Sequence, residues 1–262
     1  MTPATRWFTA AAFAVLALTV IAQVKGQKVP KPDFKQYKRI HQKALDLIRT
    51  GKAQTAVKFL AVVEEKLPRD VETQYMLAVA QCTLGKADAA EASVTKALEF
   101  GLPVGRIIGG SHNGLDAIRK RPLIQRLLKQ HGKQPVHGPM VGSLSGTRAT
   151  VWLRTADNAS VQVEANTVPP TPGGNVSAVV QARREHDFVA KAVLKGLKPE
   201  TKYTYTVTID GQENQAAGQQ FTTFNKSGEP GKFRLAFGGG AGFVPQHEYV
   251  WNTIAATRPD AL

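Results

Sequence analysis

Hydrophobic and polar positions change their period along this chain. From about residue 33 to 131 the apolar residues recur at helical spacing, three or four positions apart. Within that stretch Ala44, Gly51, Ala56, Leu60 and Val63 are matched 34 residues later by Ala78, Gly85, Ala90, Val94 and Ala97. The string Gly-Lys-Ala recurs at the same offset, at Gly51 and at Gly85. Small residues at a fixed offset predict two helix pairs whose members cross closely, with each glycine ending a first helix. Pro68 and Pro103 close the two repeats. Leu115–Lys129 (LDAIRKRPLIQRLLK) predicts one more helix, packed on the second repeat as a cap, because two repeats alone leave an apolar face open.

After the Gly- and Pro-bearing segment Gly132–Gly138 the period falls to two. Strands are predicted over Met140–Leu144, Ala149–Arg154, Ser160–Ala165, Phe188–Leu194, Tyr203–Ile209 and Gln219–Thr223, with turn-rich segments between them. Six or seven short strands over residues 137–224 predict a β-sandwich. Val151, Leu153, Val161 and Val163 alternate with polar neighbours, which places one face of each strand inward. Trp152 is out of phase and belongs on the other face or under a loop. The Pro- and Gly-rich loop Thr167–Gly174 carries no chemistry of its own, and Asn225–Gly231 reads as a linker.

The last segment, residues 232–262, reads as strand, glycine turn, helix and the start of a second strand. Phe233–Phe237 is a short buried-strand signal ended by Gly238-Gly239-Gly240, which lets the backbone turn sharply and approach a ligand. Pro245 suits a helix start, and Tyr249, Val250, Ile254 and Ala255 share one helical face. A β–loop–α–β unit carries its chemistry on loops at the carboxyl ends of strands. The glycine run lacks the GK[ST] of a phosphate-binding loop and misses the last glycine of G-x-G-x-x-G. His247 and Glu248 read either as ligands or acid–base groups or, being isolated, as surface residues.

Charge changes the picture of the helical stretch. The chain holds 34 Lys/Arg against 20 Asp/Glu, a formal net charge of +14. Residues 25–136 hold 21 against 10, whereas residues 137–262 hold 12 against 10. The basic excess reads as a docking face for an anionic envelope polymer or a protein, or as a spacer with solvated lysines. Nucleic acid is not expected as a partner, since few aromatic side chains interleave with the lysines as stacking platforms. A single cysteine, Cys82, excludes an internal disulfide. Arg6 followed by the apolar run Trp7–Ala22 predicts an export signal over residues 1–26, either cleaved or kept as an anchor. Export to the periplasm, cell envelope or exterior follows.

Four segments resemble known families. The 34-residue period with its small crossing residues resembles tetratricopeptide repeats. Leu197-Lys-Pro199-Glu-Thr201-Lys-Tyr203-Thr-Tyr205 resembles the L-x-P-x-T-x-Y-x-Y start of a fibronectin type III strand, which assigns a tyrosine corner to Tyr203. HGPMVGSLSGTRATVWLRT (His137–Thr155) resembles the N-terminal sandwich of PhoD-like and related purple-acid-type phosphatases. FRLAFGGG followed by WNTIAATRPDAL resembles the opening of the alkaline phosphatase D (PhoD-like) metallophosphatases. In that family a strand of the type FRLAFGSC and a helix precede PDALLxLGDNxY. The cysteine that ligates metal there falls on Gly240, which has no side chain to offer.

The sequence thus predicts a multidomain α + β chain. Its parts are tetratricopeptide-like repeats with a capping helix (33–131), a fibronectin-III-like sandwich (137–224) and the truncated start of an α/β metallophosphatase domain (232–262). The resemblance implies an exported, metal-dependent phosphoesterase in a full-length form, with Gly238, Gly239 and Gly240 lining the active site by backbone alone. Catalytic residues and metal ligands are not assignable within this chain. Divalent metals such as calcium, iron or zinc, and a phosphoester substrate, are expected only in the full-length form. The other reading is a non-enzymatic envelope scaffold that binds through its repeats and sandwich.

Overall fold

The computed structural model describes residues 29–110, 114–214, 219–226, 228–238 and 249–260. Residues 1–26, over which an export signal is expected from the sequence, lie outside the described residues. No helix among the described residues is long and apolar enough to cross a membrane. These residues form seven α-helices and two antiparallel sheets, a mixed α + β chain. The chain divides into two compact units, the first ending at Leu102 and the second beginning at Pro103.

The first unit contains α1 (Tyr37–Arg49), α2 (Ala53–Lys66), α3 (Val71–Thr83) and α4 (Ala87–Glu99). The matched positions occupy equivalent places: Ala44 and Ala78, Ala56 and Ala90, Leu60 and Val94, and Val63 and Ala97 are all fully buried. The two Gly-Lys pairs also perform one job twice. Gly51 and Gly85 take left-handed φ values of 73° and 69°. The N–H of Lys52 reaches the carbonyl of Leu47 at 2.8 Å, and that of Lys86 reaches Gln81 at 2.9 Å, closing each helix in the same Schellman turn. Only glycine enters that conformation without a Cβ clash. Cys82 is buried in α3.

The second unit begins with α5 (Val104–Ile108) and α6 (Pro122–His131), followed by eight strands and α7 (Val250–Ala256). The single helix expected over Leu115–Lys129 is broken. Asp116–Ile118 is a 3-10 turn, and α6 restarts with Pro122 in its first turn. Proline has no N–H to give to a preceding turn, so it begins a helix and cannot continue one. This segment lies in the second unit, where Arg119 donates to the Ala156 carbonyl at 3.0 Å and the Asp157 carboxylate at 2.8 Å. Gly132–Gly138 is held as well. Lys133 Nζ donates to the Asp210 carbonyl at 3.2 Å, Asn214 Nδ2 donates to the Lys133 carbonyl at 2.9 Å, and Val136 N–H reaches the Arg154 carbonyl at 2.8 Å.

The strands are β1 (His137–Gly142), β2 (Arg148–Arg154), β3 (Ala159–Thr167), β4 (Asn175–Ala182), β5 (Val189–Lys195), β6 (Lys202–Ile209), β7 (Gln212–Asn214) and β8 (Gln220–Thr222). One sheet has the order β1-β2-β5; the other runs β4-β3-β6, with β7 and β8 both pairing with β6. A single core lies between them: Ala149, Val151 and Leu153 from one sheet meet Val161, Val163, Tyr203, Tyr205 and Val207 from the other. Trp152 is half-buried on the opposite face of β2, between Met140 and Lys191 in register.

Two strands, β4 and β7, were not anticipated from the sequence. In β4 the inward residues Val176, Ala178 and Val180 are only partly buried, and Val179 breaks the polar side of the alternation. Phe233–Phe237 differs in the other direction. It is not a buried strand: only Leu235 forms a bridge, and Phe233, Leu235 and Phe237 are exposed.

Candidate functional site

The C-terminal corner is where the sequence places chemistry, and its geometry rests on Arg234. The backbone N–H of Arg234 donates to the Asp260 carboxylate at 2.7 Å, and the N–H of Asp260 donates back to the Arg234 carbonyl at 2.8 Å. The Arg234 guanidinium reaches the carbonyls of Thr257 and, at 3.3 Å, Arg258. Those carbonyls follow α7, so Arg234 supplies donors and positive charge where a helix end leaves acceptors unpaired. The result places residue 260, just after α7, beside residue 234.

Gly238 is exposed, and a Cβ built on it would meet nothing within 4 Å. Gly239, Gly240, His247 and Glu248 lie outside the described residues. Phe233 packs edge-on against Phe224 at 5.4 Å between ring centroids, which joins the corner to the end of the sandwich. Asn225 draws the connecting segment into a turn by donating to the carbonyls of Glu229 and Pro230 at 2.8 and 3.1 Å. Of the helical face expected on α7, Ile254 is half-buried, while Val250 and Ala255 are exposed, as is Tyr249 just before it. Among the described residues no three His, Cys, Asp or Glu side chains come together as a metal-binding group.

A second polar cluster lies in the first unit. Asp70 caps α3, accepting from the Thr73 N–H at 2.8 Å. Its carboxylate also accepts from His41 Nε2 at 3.0 Å and from the Tyr37 hydroxyl. His41 Nε2 lies 3.1 Å from Thr73 Oγ1, and His41 and Thr73 are both buried. Burial raises the Asp70 pKa, but hydrogen bonds from His41, Thr73 and Tyr37 outweigh it and hold the carboxyl well below the usual range. Burial, then the adjoining Asp70, pushes the Tyr37 phenol up. The cluster ties the first helix to the start of the third. Asp70 before an apolar run was the available signal, since aspartate is a preferred helix cap.

Residues 133–226 match the model of a domain of unknown function, DUF7800. No curated protein matches the chain. Among solved structures, one described as the structure of PhoD is 13% identical, with a TM-score of 0.31; the match covers 36% of this chain and 20% of that one. This chain therefore spans about a fifth of that protein's length. The sensor domain of the anti-sigma factor RsgI4 from Pseudobacteroides cellulosolvens is 16% identical, with a TM-score of 0.29, covering 37% of this chain and 98% of that one. A computationally redesigned β-sandwich protein is also 16% identical, with a TM-score of 0.27 and coverage of 34% and 93%.

Proposed function

We propose that this chain is the amino-terminal part of an exported, metal-dependent phosphoesterase of the PhoD-like type. In this reading a tetratricopeptide-like helical unit and a fibronectin-III-like sandwich precede the first corner of the catalytic domain. The observation that carries it is the Arg234–Asp260 pairing. A β–loop–α–β unit brings its second strand back beside its first; the backbone bond from the Asp260 N–H to the Arg234 carbonyl brings residue 260 back beside residue 234, and the Asp260 carboxylate, accepting from the Arg234 N–H, fastens it there. Exposure supports the same reading. Phe233, Leu235, Phe237, Tyr249, Val250 and Trp251 are each exposed, and in a complete α/β domain a parallel sheet with both faces covered would bury apolar residues of this kind.

Metals in the full-length form would polarise the phosphoryl group and lower the pKa of the attacking oxygen nucleophile. The described residues of this chain do not fit such a site, and Gly240 offers no ligand where the family has cysteine. The role left to Gly238, Gly239 and Gly240 is to bring backbone close to the substrate. The test is hydrolysis of p-nitrophenyl phosphate with added divalent metals, by this chain and by a form extended through the next strands. Turnover is expected only from the longer form.

A further inference from the structure

The two outer faces of the sandwich differ in charge. On the outer face of β4, β3 and β6, Glu164 offsets Lys202 and the other side chains are neutral. The strands of the other sheet, β1, β2 and β5, contain no aspartate or glutamate. Their outer face carries Arg148, Arg154, Lys191 and Lys195. The Arg154 guanidinium is held by the Asp187 carboxylate at 2.8 Å. A Cβ on Gly109, which follows α5, would meet that guanidinium at 3.3 Å, so this end of the face is covered. Arg148, Lys191 and Lys195 are exposed and pair with no carboxylate among the described residues.

Strand register places two of these charges side by side. Arg148 lies directly opposite Lys195, and like charges in that position destabilise a sheet. No carboxylate of β1, β2 or β5 is there to neutralise them. Four residues along both strands, about 13 Å away, Trp152 lies opposite Lys191. Thr150 and Val193 stand in register between the two pairs. Trp152 is half-buried, which leaves part of the indole open between Lys191 and Met140, itself 57% exposed.

We propose that this face binds an anionic polysaccharide. A sugar ring lays its polarised C–H groups on an indole, whose face is the negative side of the aromatic quadrupole. Carboxylate or sulfate groups along the same polymer accept charge-assisted hydrogen bonds from Lys191, Arg148 and Lys195. Binding relieves the repulsion between Arg148 and Lys195, which the fold alone leaves in place. The separation of about 13 Å between the basic pair and the indole calls for an extended ligand rather than a single small anion. Nucleic acid suits the face less well, because one aromatic residue cannot stack successive bases. A bilayer suits it less well too, because Lys191 and Thr150 interrupt any apolar band around Trp152. The chain's net charge of +14 draws a polyanion at long range.

The test is calorimetric titration of the full chain with polygalacturonate and with dextran sulfate at about 0.15 M salt. At least one should bind, and uncharged dextran should not. Trp152→Thr should weaken that binding by about tenfold or more. Arg148→Thr combined with Lys195→Thr should weaken it as much while leaving the melting temperature unchanged or higher, because the charges removed repel each other. Lys58→Gln combined with Lys66→Gln takes the same charge from α2 and should change binding by less than about twofold. Polyphosphate and phosphatidylglycerol vesicles, anions without sugar rings, should bind more weakly and without dependence on Trp152. Failure of both acidic polysaccharides to bind overturns the proposal. So does binding that survives either change on the face, that falls equally with the α2 charges, or that dextran, polyphosphate or vesicles match.

Discussion

The hydroxyl of Tyr203 accepts a hydrogen bond from the backbone N–H of Lys198 at 2.9 Å, closing the corner that leads into its own strand. The ring is 1% exposed and stacks on Phe221 at 5.4 Å between centroids. Thr223 completes the corner: its hydroxyl donates to the Lys198 carbonyl at 2.6 Å and accepts from the Thr201 N–H at 2.9 Å. Tyr203→Phe keeps the packing and removes one acceptor, so it should destabilise the sandwich by about 1 kcal/mol or somewhat more. Tyr205 does not point outward. It lies two residues on, on the same inward face, and is 6% exposed. Tyr205→Phe leaves the ring buried and should cost less. Urea midpoints of the two variants check this; equal, negligible shifts would contradict the corner.

Asp70 should give the first unit an acid-sensitive link. Its folded pKa lies below its unfolded value, so the stabilisation is present above the unfolded pKa of about 3.9 and is lost as pH falls through the folded one. Asp70→Ala removes the cap and the partner of His41 and Tyr37, and should cost about 2 kcal/mol. Asp70→Asn retains a capping side chain but cannot ionise. Its stability should be flatter between about pH 4 and pH 2. Thermal melts followed by the helical circular dichroism signal separate the two variants.

What could be read from the sequence was whatever recurs or alternates. The 34-residue offset located the buried alanines and both Gly-Lys helix ends, because close helix crossings and left-handed turns each demand a particular residue type. Tyr203 was legible because its motif carries the corner's proline and threonine with it. β4 was missed for want of a clear period, as an edge strand buries little on either face. Pro122 was passed over inside an apolar helical pattern, although its missing N–H decides where α6 begins. The roles of Arg234 and Asp70 depend on partners 26 and 29 residues away, and no local pattern announces such pairings.

Arg234 should act as the clasp of the C-terminal corner. Arg234→Ala removes the guanidinium from the Thr257 and Arg258 carbonyls but leaves the backbone bonds. Asp260→Ala removes the acceptor of the Arg234 N–H. Each should speed amide exchange across residues 250–260 by about tenfold, with exchange in the sandwich strands unchanged. Unaltered exchange in both variants would mean that the corner is held by other contacts.

Metal-dependent hydrolysis of p-nitrophenyl phosphate is the most direct test of the phosphoesterase reading. The 262-residue chain and a form extended through the following strands are assayed side by side, with calcium, iron and zinc added in turn. The extended form should turn over and lose activity on chelation, and the 262-residue chain should be inactive with every metal. Turnover by the shorter chain that tracks its purification, or an extended form inert with all three metals, would contradict the proposal.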